Sequence, residues 1–105
     1  MHSFKIDDIM VSSFGYDQIN VAFYVVTKTT KTTVTLQRIG TKIQNTGRFY
    51  DWVVPDLHFE GEQMRRKVQS TEGREYLKRA NYAGAGTIRR WHGKPLQQTA
   101  WEHRR

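Results

Sequence analysis

The chain has no cysteine, which excludes a disulfide, a thiolate metal site and a cysteine nucleophile. Proline occurs only twice, and no apolar run approaches the ~20 residues that a helix needs to span a bilayer. The first five residues, MHSFK, lack the pattern of a secretory signal peptide. From these absences we expect a cytoplasmic protein that does not engage a membrane.

Apolar residues are also few, at 37% of 105 residues, whereas aromatic residues make up 12%. A chain of this length forms one domain, residues 1–105, which buries roughly 60–70% of the surface of its unfolded state. The composition therefore predicts a single thin core built from a small number of large side chains.

Acidic residues are scarce in the second half of the chain. Residues 1–60 contain six Lys or Arg and six Asp or Glu, so their charges cancel. Residues 61–105 contain eleven Lys or Arg against four Asp or Glu, so they carry the whole net charge of +7. An excess of this kind focuses positive potential on one part of a surface and favours an anionic partner.

The segment around which the chain is organised is residues 15–39, which reads as two β-strands. Residues 21–26, VAFYVV, place apolar side chains on both faces of an extended strand, which predicts a central strand covered on both sides. Residues 32–39, TTVTLQRI, are rich in the β-branched residues that suit a pleated sheet. Residues 28–31, KTTK, are predicted to form the turn between them.

The rest of residues 1–47 adds shorter elements to this hairpin. A strand is predicted at 9–13, with Ile9 and Val11 facing inward and Met10 and Ser12 facing outward. Gly40 is predicted to interrupt the chain before a short strand at 41–44 and a turn at 45–47.

After residue 47 the pattern changes twice. Residues 48–63 contain many aromatics, and Val54-Pro55 disfavours a helix, so we predict a long loop that covers one mouth of the sheet. Two interpretations are kept for the aromatic side chains of this loop: they pack in the core, or they form a ligand-binding surface. Residues 64–95 are predicted to hold basic strands at 64–69, 75–82 and 87–91, although a helix remains an alternative for 75–82. Residues 96–105 are predicted to be a polar, partly mobile tail. Trp101 is the one residue of this tail that is expected to pack against the body of the domain.

These elements predict an all-β, mainly antiparallel domain. We expect a small curled sheet or a partly open barrel of five to seven strands, with a long aromatic loop. Exposed strand edges in such a sheet also allow a homodimer.

Two motifs resemble a known group of sequences. Residues 8–24, DIMVSSFGYDQINVAFY, resemble a signature of small, mostly uncharacterised phage and mobile-element proteins, close to D-I-x-V-S-S-W-G-Y-D/E-Q-T-N-V-x-F-Y. Residues 82–85, YAGA, and 91–95, WHGKP, resemble the closing Tyr-Ala-x-Ala and W-D-G-K-P stretches of the same proteins. The chain departs from the pattern at Phe14, Ile19 and His92. The resemblance implies a phage or mobile-element origin and brings no settled activity.

A polar cluster directly before the central strand is the first candidate site. It consists of Tyr16, Asp17, Gln18 and Asn20. It is interpreted either as a recognition or catalytic edge, or as a structural turn in which Asp17 or Asn20 bonds nearby backbone N–H groups. A hydrolytic enzyme would need a base such as His58, His92 or His103, and no spacing brings one to Asp17, so we predict no enzyme. The four histidines also lack ligand-like spacing, so neither a metal nor a cofactor is predicted.

The second and stronger candidate site is the basic set of the C-terminal half, interleaved with Tyr76, Tyr82 and Trp91. Its predicted nucleic-acid-binding members are Arg65, Arg66, Lys67, Lys78, Arg79, Arg89, Arg90, Trp91 and Lys94. Lys and Arg bind phosphates and release counterions, and aromatic rings stack on bases. We therefore expect a binding module for nucleic acid or a nucleoprotein complex. The alternatives are a solvated basic face and an inhibitor that binds an acidic protein of a host defence system.

Overall fold

The structure, a computed structural model, describes residues 2–14, 19–79 and 86–99, apart from the side chains of Phe14 and Glu62. These residues form seven strands, and no helix among them is long and apolar enough to cross a membrane. The strands are β1 (Ile9–Phe14), β2 (Asn20–Thr29), β3 (Thr33–Thr46), β4 (Tyr50–Thr71), β5 (Arg74–Lys78), β6 (Thr87–Arg90) and β7 (Leu96–Thr99). All their pairings are antiparallel, which confirms the predicted all-β fold.

Six of the strands form an uneven ring. The order β3-β2-β1-β6-β5-β4 is closed by an additional pairing between β3 and β4. β6 contributes only two residue pairs to each neighbour, so the ring is weakly joined on that side. β7 lies outside the ring and pairs with the first residues of β4. The predicted curled sheet or partly open barrel is therefore confirmed.

The main core fills this ring. Every strand of the ring contributes to it, and Phe4, from the segment before β1, joins it. Its members are Phe4, Met10, Ala22, Tyr24, Val26, Val34, Leu36, Leu77 and Ile88, with Met64 and Val68 packed against them. Because side chains alternate along a strand, the residues between these positions face the outside of the ring.

A second core lies on the outer side of β1 and β2. Val11 and Phe23 pack there with Val53 of β4, Leu96 of β7 and the half-buried Trp91. The Trp91 ring meets the Phe23 ring edge-on, with centroids 6.0 Å apart and planes at 81°. Residues 21–26 of β2 are consequently all buried, as predicted for a central strand.

The predicted orientation of β1 is wrong for one of its faces. Met10 and Ser12 were expected to point outward, but both are buried, at 0% and 1% exposure. β1 pairs with β2 on one edge and with β6 on the other, so these side chains face the interior of the ring. Ile9 and Val11 face the second core, and both sides of β1 are therefore covered. The alternation of side chains along a strand shows which residues share a face, but it does not show whether that face is buried or exposed.

The β2–β3 connection also differs from the prediction. The turn lies at residues 30–32 rather than 28–31, and the Thr30 hydroxyl accepts a hydrogen bond from the Thr33 amide at 3.0 Å. β3 then continues to Thr46, so the predicted break at Gly40 is wrong, while the strand predicted at 41–44 is confirmed as part of β3. The connection to β4 lies at residues 47–49 rather than 45–47. Gly40 instead accommodates a close approach, because a Cβ there would lie 2.7 Å from His58 Nε2 and still closer to His58 Cε1.

The predicted aromatic loop at 48–63 is wrong, because β4 runs from Tyr50 to Thr71. β7 pairs with residues 50–53 and β5 with residues 68–71, and no other described strand pairs with that edge of β4 between them. Pro55, which lacks an N–H, is tolerated at such an edge. The aromatics of this segment do not cover the sheet either: Phe49 is 54% exposed and Phe59 is 69% exposed.

The C-terminal elements are partly as predicted. β5 confirms a strand for the described start of the 75–82 segment, while residues 80–82 lie outside the described part of the chain. β6 confirms the strand predicted at 87–91, although it is not the last one. The polar tail is wrong for residues 96–99, which form β7 and are tied to the start of β2. The Thr99 amide donates to the Ile19 carbonyl at 2.9 Å, and the Val21 amide donates to Gln98 Oε1 at 3.2 Å. Trp101 lies outside the described residues.

Candidate nucleic-acid interface

The outer side of β4, β5 and β6 carries a set of exposed cations, which we call the basic face. Met64, Val68, Leu77 and Ile88 pack in the ring core, so the residues that alternate with them point outward. The cations of the basic face are Arg65, Lys67, Arg74, Lys78 and Arg89, and all five are exposed. Four of them belong to the predicted set. Arg74 does not, although its alternation with Tyr76 and Lys78 along one strand is a signal that could have revealed it.

Strand pairing brings these cations together. Val68 lies opposite Leu77, so one step along the same antiparallel pairing places Lys67 beside Lys78, and Lys78 in turn lies opposite Thr87. Side chains directly opposite one another have Cβ atoms about 4.5–5.5 Å apart. The sheet therefore concentrates like charges that repel one another, an arrangement that an external anion relieves.

No carboxylate of the described residues neutralises the basic face. The ion pairs found in the described ranges join His58 to Asp56 and Glu60, and Arg90 to Asp8. Among the described residues, the Arg65 side chain donates one hydrogen bond, from Nε to the Thr33 hydroxyl at 3.4 Å. Tyr76, half-buried and opposite Gln69, lies on the same face as Lys78. Its stacking role stays a prediction, and Tyr82 lies outside the described residues.

Arg66 belongs to the predicted set but has a structural contact instead. By alternation it follows Met64 and Val68 toward the interior of the ring. Its Nε donates to the Lys78 carbonyl at 3.1 Å, Nη2 to the Arg79 carbonyl at 3.1 Å and Nη1 to the Arg65 carbonyl at 3.0 Å. The guanidinium thus joins β4 to the end of β5, and its donors are directed at the backbone.

Arg90 is likewise occupied within the protein. It lies over the Phe4 ring at 4.4 Å, donates to Ser3 Oγ at 2.8 Å and lies 3.6 Å from Asp8 Oδ2. Ser3 donates in turn to Glu75 through its hydroxyl and its amide, and these hydrogen bonds, with Arg90 nearby, lower the pKa of Glu75 below its usual 4.5. Arg90 therefore belongs to a cluster that also contains the carboxylates of Asp8 and Glu75, and its charge is partly compensated within the protein.

The remaining predicted cations and Trp91 lie beyond the three basic strands. Trp91 packs in the second core and its Nε1 donates to the Lys94 carbonyl at 2.8 Å, so its ring is not an open stacking platform. Lys94 is exposed in the turn before β7. Arg79 is half-buried after β5, where its amide donates to the Gly86 carbonyl at 3.1 Å.

The polar cluster before β2 is largely beyond the described residues. Tyr16, Asp17 and Gln18 lie outside them, while Asn20 begins β2, half-buried and opposite Phe14. His103, one of the candidate bases for Asp17, also lies outside them. A recognition edge and a structural turn both remain predictions for this cluster.

His58 has close carboxylate neighbours. Its Nε2 lies 2.9 Å from Glu60 and its Nδ1 lies 3.2 Å from Asp56, and the hydrogen bond to Glu60 is the main cause that raises the pKa of His58 above 6.5. Within the described ranges no group of three or more His, Asp or Glu side chains could hold a metal ion.

Comparisons of the chain with protein-family models, with curated proteins and with solved structures found no match.

Proposed function

We propose that this protein is a non-enzymatic module of phage or mobile-element origin that engages nucleic acid, alone or in a nucleoprotein complex, in the cytoplasm of the host. One observation carries the proposal. Arg65, Lys67, Arg74, Lys78 and Arg89 share one exposed face, and none of them has a carboxylate partner among the described residues.

The expected binding is electrostatic and sensitive to salt. Each phosphate neutralised by a cation releases counterions, so log K falls with log salt by about 0.9 per contact for duplex DNA and about 0.7 for a single strand. Five contacts then weaken binding by roughly 100- to 500-fold between 50 and 200 mM salt.

Fluorescence anisotropy with labelled oligonucleotides across a salt series tests this function. Lys78→Gln removes a central cation of the basic face and is expected to reduce the slope by about 0.7–0.9. Lys42→Gln is the matched control, because Lys42 is an exposed cation of β3 that does not belong to the basic face. It is expected to leave the slope unchanged. Absence of binding at 50 mM salt, or binding that does not respond to salt, contradicts the proposal.

A second candidate function is a protein-directed inhibitor of a host defence system, such as restriction or CRISPR interference. It is favoured by a group of apolar side chains, each at least 40% exposed, in the second half of β3, the first half of β4 and the connection between them. They are Ile43, Phe49, Tyr50, Trp52, Leu57 and Phe59. Exposed apolar and aromatic groups are characteristic of protein interfaces.

Capture of partners from a nuclease-treated host lysate separates the two functions. Retention of one stoichiometric protein partner, lost in Leu57→Ser and Phe59→Ser but kept in Lys78→Gln, favours the inhibitor. Loss of all partners after nuclease treatment favours nucleic acid.

A further inference from the structure

A shallow groove of about 760 Å³ adjoins the basic face on the outer side of β2, β3 and β4. Among the described residues, its lining contains two cations and no carboxylate. The lining residues are Thr27, Lys28, Thr29, Thr30, Thr35, Gln63, Met64 and Arg65. Hydroxyl, amide, ammonium and guanidinium groups are the donors that proteins direct at phosphate oxygens.

An irregularity in β2 places Lys28 in this groove. The pairing of β2 with β3 shifts between Val26 and Lys28, so Thr27 is an extra residue on the bulged strand. Beyond the shift, Lys28 lies opposite Thr35, and Thr35 lies opposite Arg65. These three residues therefore form one row across three strands, on the side of the sheet away from the ring core.

The next row continues into the basic face. Thr33 lies opposite Lys67, which lies beside Lys78, which lies opposite Thr87. Arg89, two residues after Thr87, extends the outward cations along β6. A belt of Lys, Arg and Thr side chains thus crosses β2, β3, β4, β5 and β6 in their order around the ring.

The curvature of this belt decides which nucleic acid can follow it. Neighbouring strands lie about 4.8 Å apart, so the belt from β2 to β6 is about 19 Å wide when measured across the strands. The belt crosses four of the six intervals between strands of a closed ring. Duplex DNA has a persistence length of about 150 base pairs and behaves as a rigid rod over this distance. A rod touches a strongly curved surface along one side only, whereas a single strand bends with it.

We infer that the ligand of the basic face is a single strand of DNA or RNA whose backbone crosses the strands from the groove at Lys28 to Arg89. This inference rests on the proposed function and adds the conformation and path of the ligand. The groove holds phosphates between Lys28 and Arg65, and Lys67, Lys78 and Arg89 hold those that follow. Half-buried Tyr76 presents an aromatic surface beside this path.

The experiment compares one 20-nucleotide sequence as a labelled single strand and as a duplex, across a salt series. The wild-type protein is expected to bind the single strand more tightly than the duplex at each salt concentration. Lys28→Gln is expected to weaken single-strand binding about five-fold at 100 mM salt, which is the counterion term of one contact. It is expected to leave duplex binding unchanged, because a duplex seated on β4–β6 does not reach β2. Lys42→Gln is the matched control, and circular dichroism and a thermal melt establish that each variant is folded.

The outcomes separate the inference from the function. Duplex binding equal to or tighter than single-strand binding overturns the inference. So does a folded Lys28→Gln variant with wild-type affinity for the single strand, while weakened binding by Lys78→Gln keeps the proposed function. If neither oligonucleotide binds at 50 mM salt, both are overturned. Single-strand binding that is weakened by Lys28→Gln and by Lys78→Gln, but not by Lys42→Gln, supports both.

Discussion

Arg66 and Lys67 are adjacent cations in the sequence, and the structure assigns them opposite roles. The Arg66 guanidinium donates to the backbone carbonyls of Arg65, Lys78 and Arg79 at 3.0–3.1 Å. The Lys67 ammonium is exposed on the basic face and has no carboxylate partner within the described ranges. We therefore predict that Arg66→Gln reduces stability without changing the salt dependence of nucleic-acid binding. Lys67→Gln is predicted to do the reverse.

The expected magnitudes follow from these contacts. A hydrogen bond that involves a charged group contributes about 1.5–3 kcal/mol when desolvated. Arg66 is only half-buried, so we expect a loss of about 2 kcal/mol for the three bonds together. For a domain of about 100 residues this lowers Tm by roughly 8–16 °C. Substitution of an exposed Lys67 changes stability by no more than about 0.5 kcal/mol. The loss of its phosphate contact lowers the slope of log K against log salt by about 0.7–0.9.

Urea unfolding followed by circular dichroism measures the first effect, and anisotropy across a salt series measures the second. Both variants are compared at a temperature at which Arg66→Gln remains folded, so that loss of folded protein is not mistaken for loss of a contact. The reasoning is refuted if folded Arg66→Gln lowers the salt slope as much as Lys67→Gln does. It is also refuted if Arg66→Gln leaves the free energy of unfolding unchanged.

Three further predictions concern the fold and its titrating groups. Gly40→Ala is expected to displace the His58 ring from its place between Asp56 and Glu60, so the pKa of His58 returns toward 6.5 in an NMR titration; an unchanged pKa contradicts the assigned contact. The pKa of Glu75 is lowered in the folded state, so its contribution to stability is present above pH 4.5 and is lost as the pH falls through the folded pKa. Glu75→Gln is therefore expected to remove this pH dependence from urea midpoints measured between pH 5 and pH 3. Leu77→Ala, in the ring core, is expected to cost about 2–5 kcal/mol in urea unfolding, whereas Leu57→Ala, at 73% exposure, is expected to change stability by less than about 0.5 kcal/mol.

Local patterns predicted much of the fold. The apolar residues on both faces of 21–26 identified the central strand, because a strand can bury both faces only between two layers. The same patterns failed at residues 48–63, where irregular alternation and Pro55 indicated a loop. β4 is a strand there because β3 supplies a continuous partner and bulges absorb the mismatch. A partner strand is not visible in the pattern of one segment.

The candidate site was predicted in the same incomplete way. The concentration of positive charge after residue 60 is a property of composition, and it pointed to β4, β5 and β6 without reference to a fold. Arg66 and Lys67 cannot be distinguished by composition, because both are basic and adjacent. Only the ring core decides that Arg66 lies on the inner side and Lys67 on the outer side. Trp91 was predicted to stack on bases because it is interleaved with basic residues, and its packing partner, Phe23, is too distant in the sequence for a local pattern to reveal.

The sequence by itself determined an all-strand chain, one strand buried on both faces and a basic C-terminal half, since alternation and charge are local properties. Tertiary structure decided the closure of the ring, the pairing of β7 with β4 and the alignment of Lys28, Arg65, Lys67 and Lys78 across neighbouring strands. The physical reason is that register and ring closure are set by pairing between segments far apart in the chain. A shift of one residue in that pairing would turn every cation of a strand to its other face.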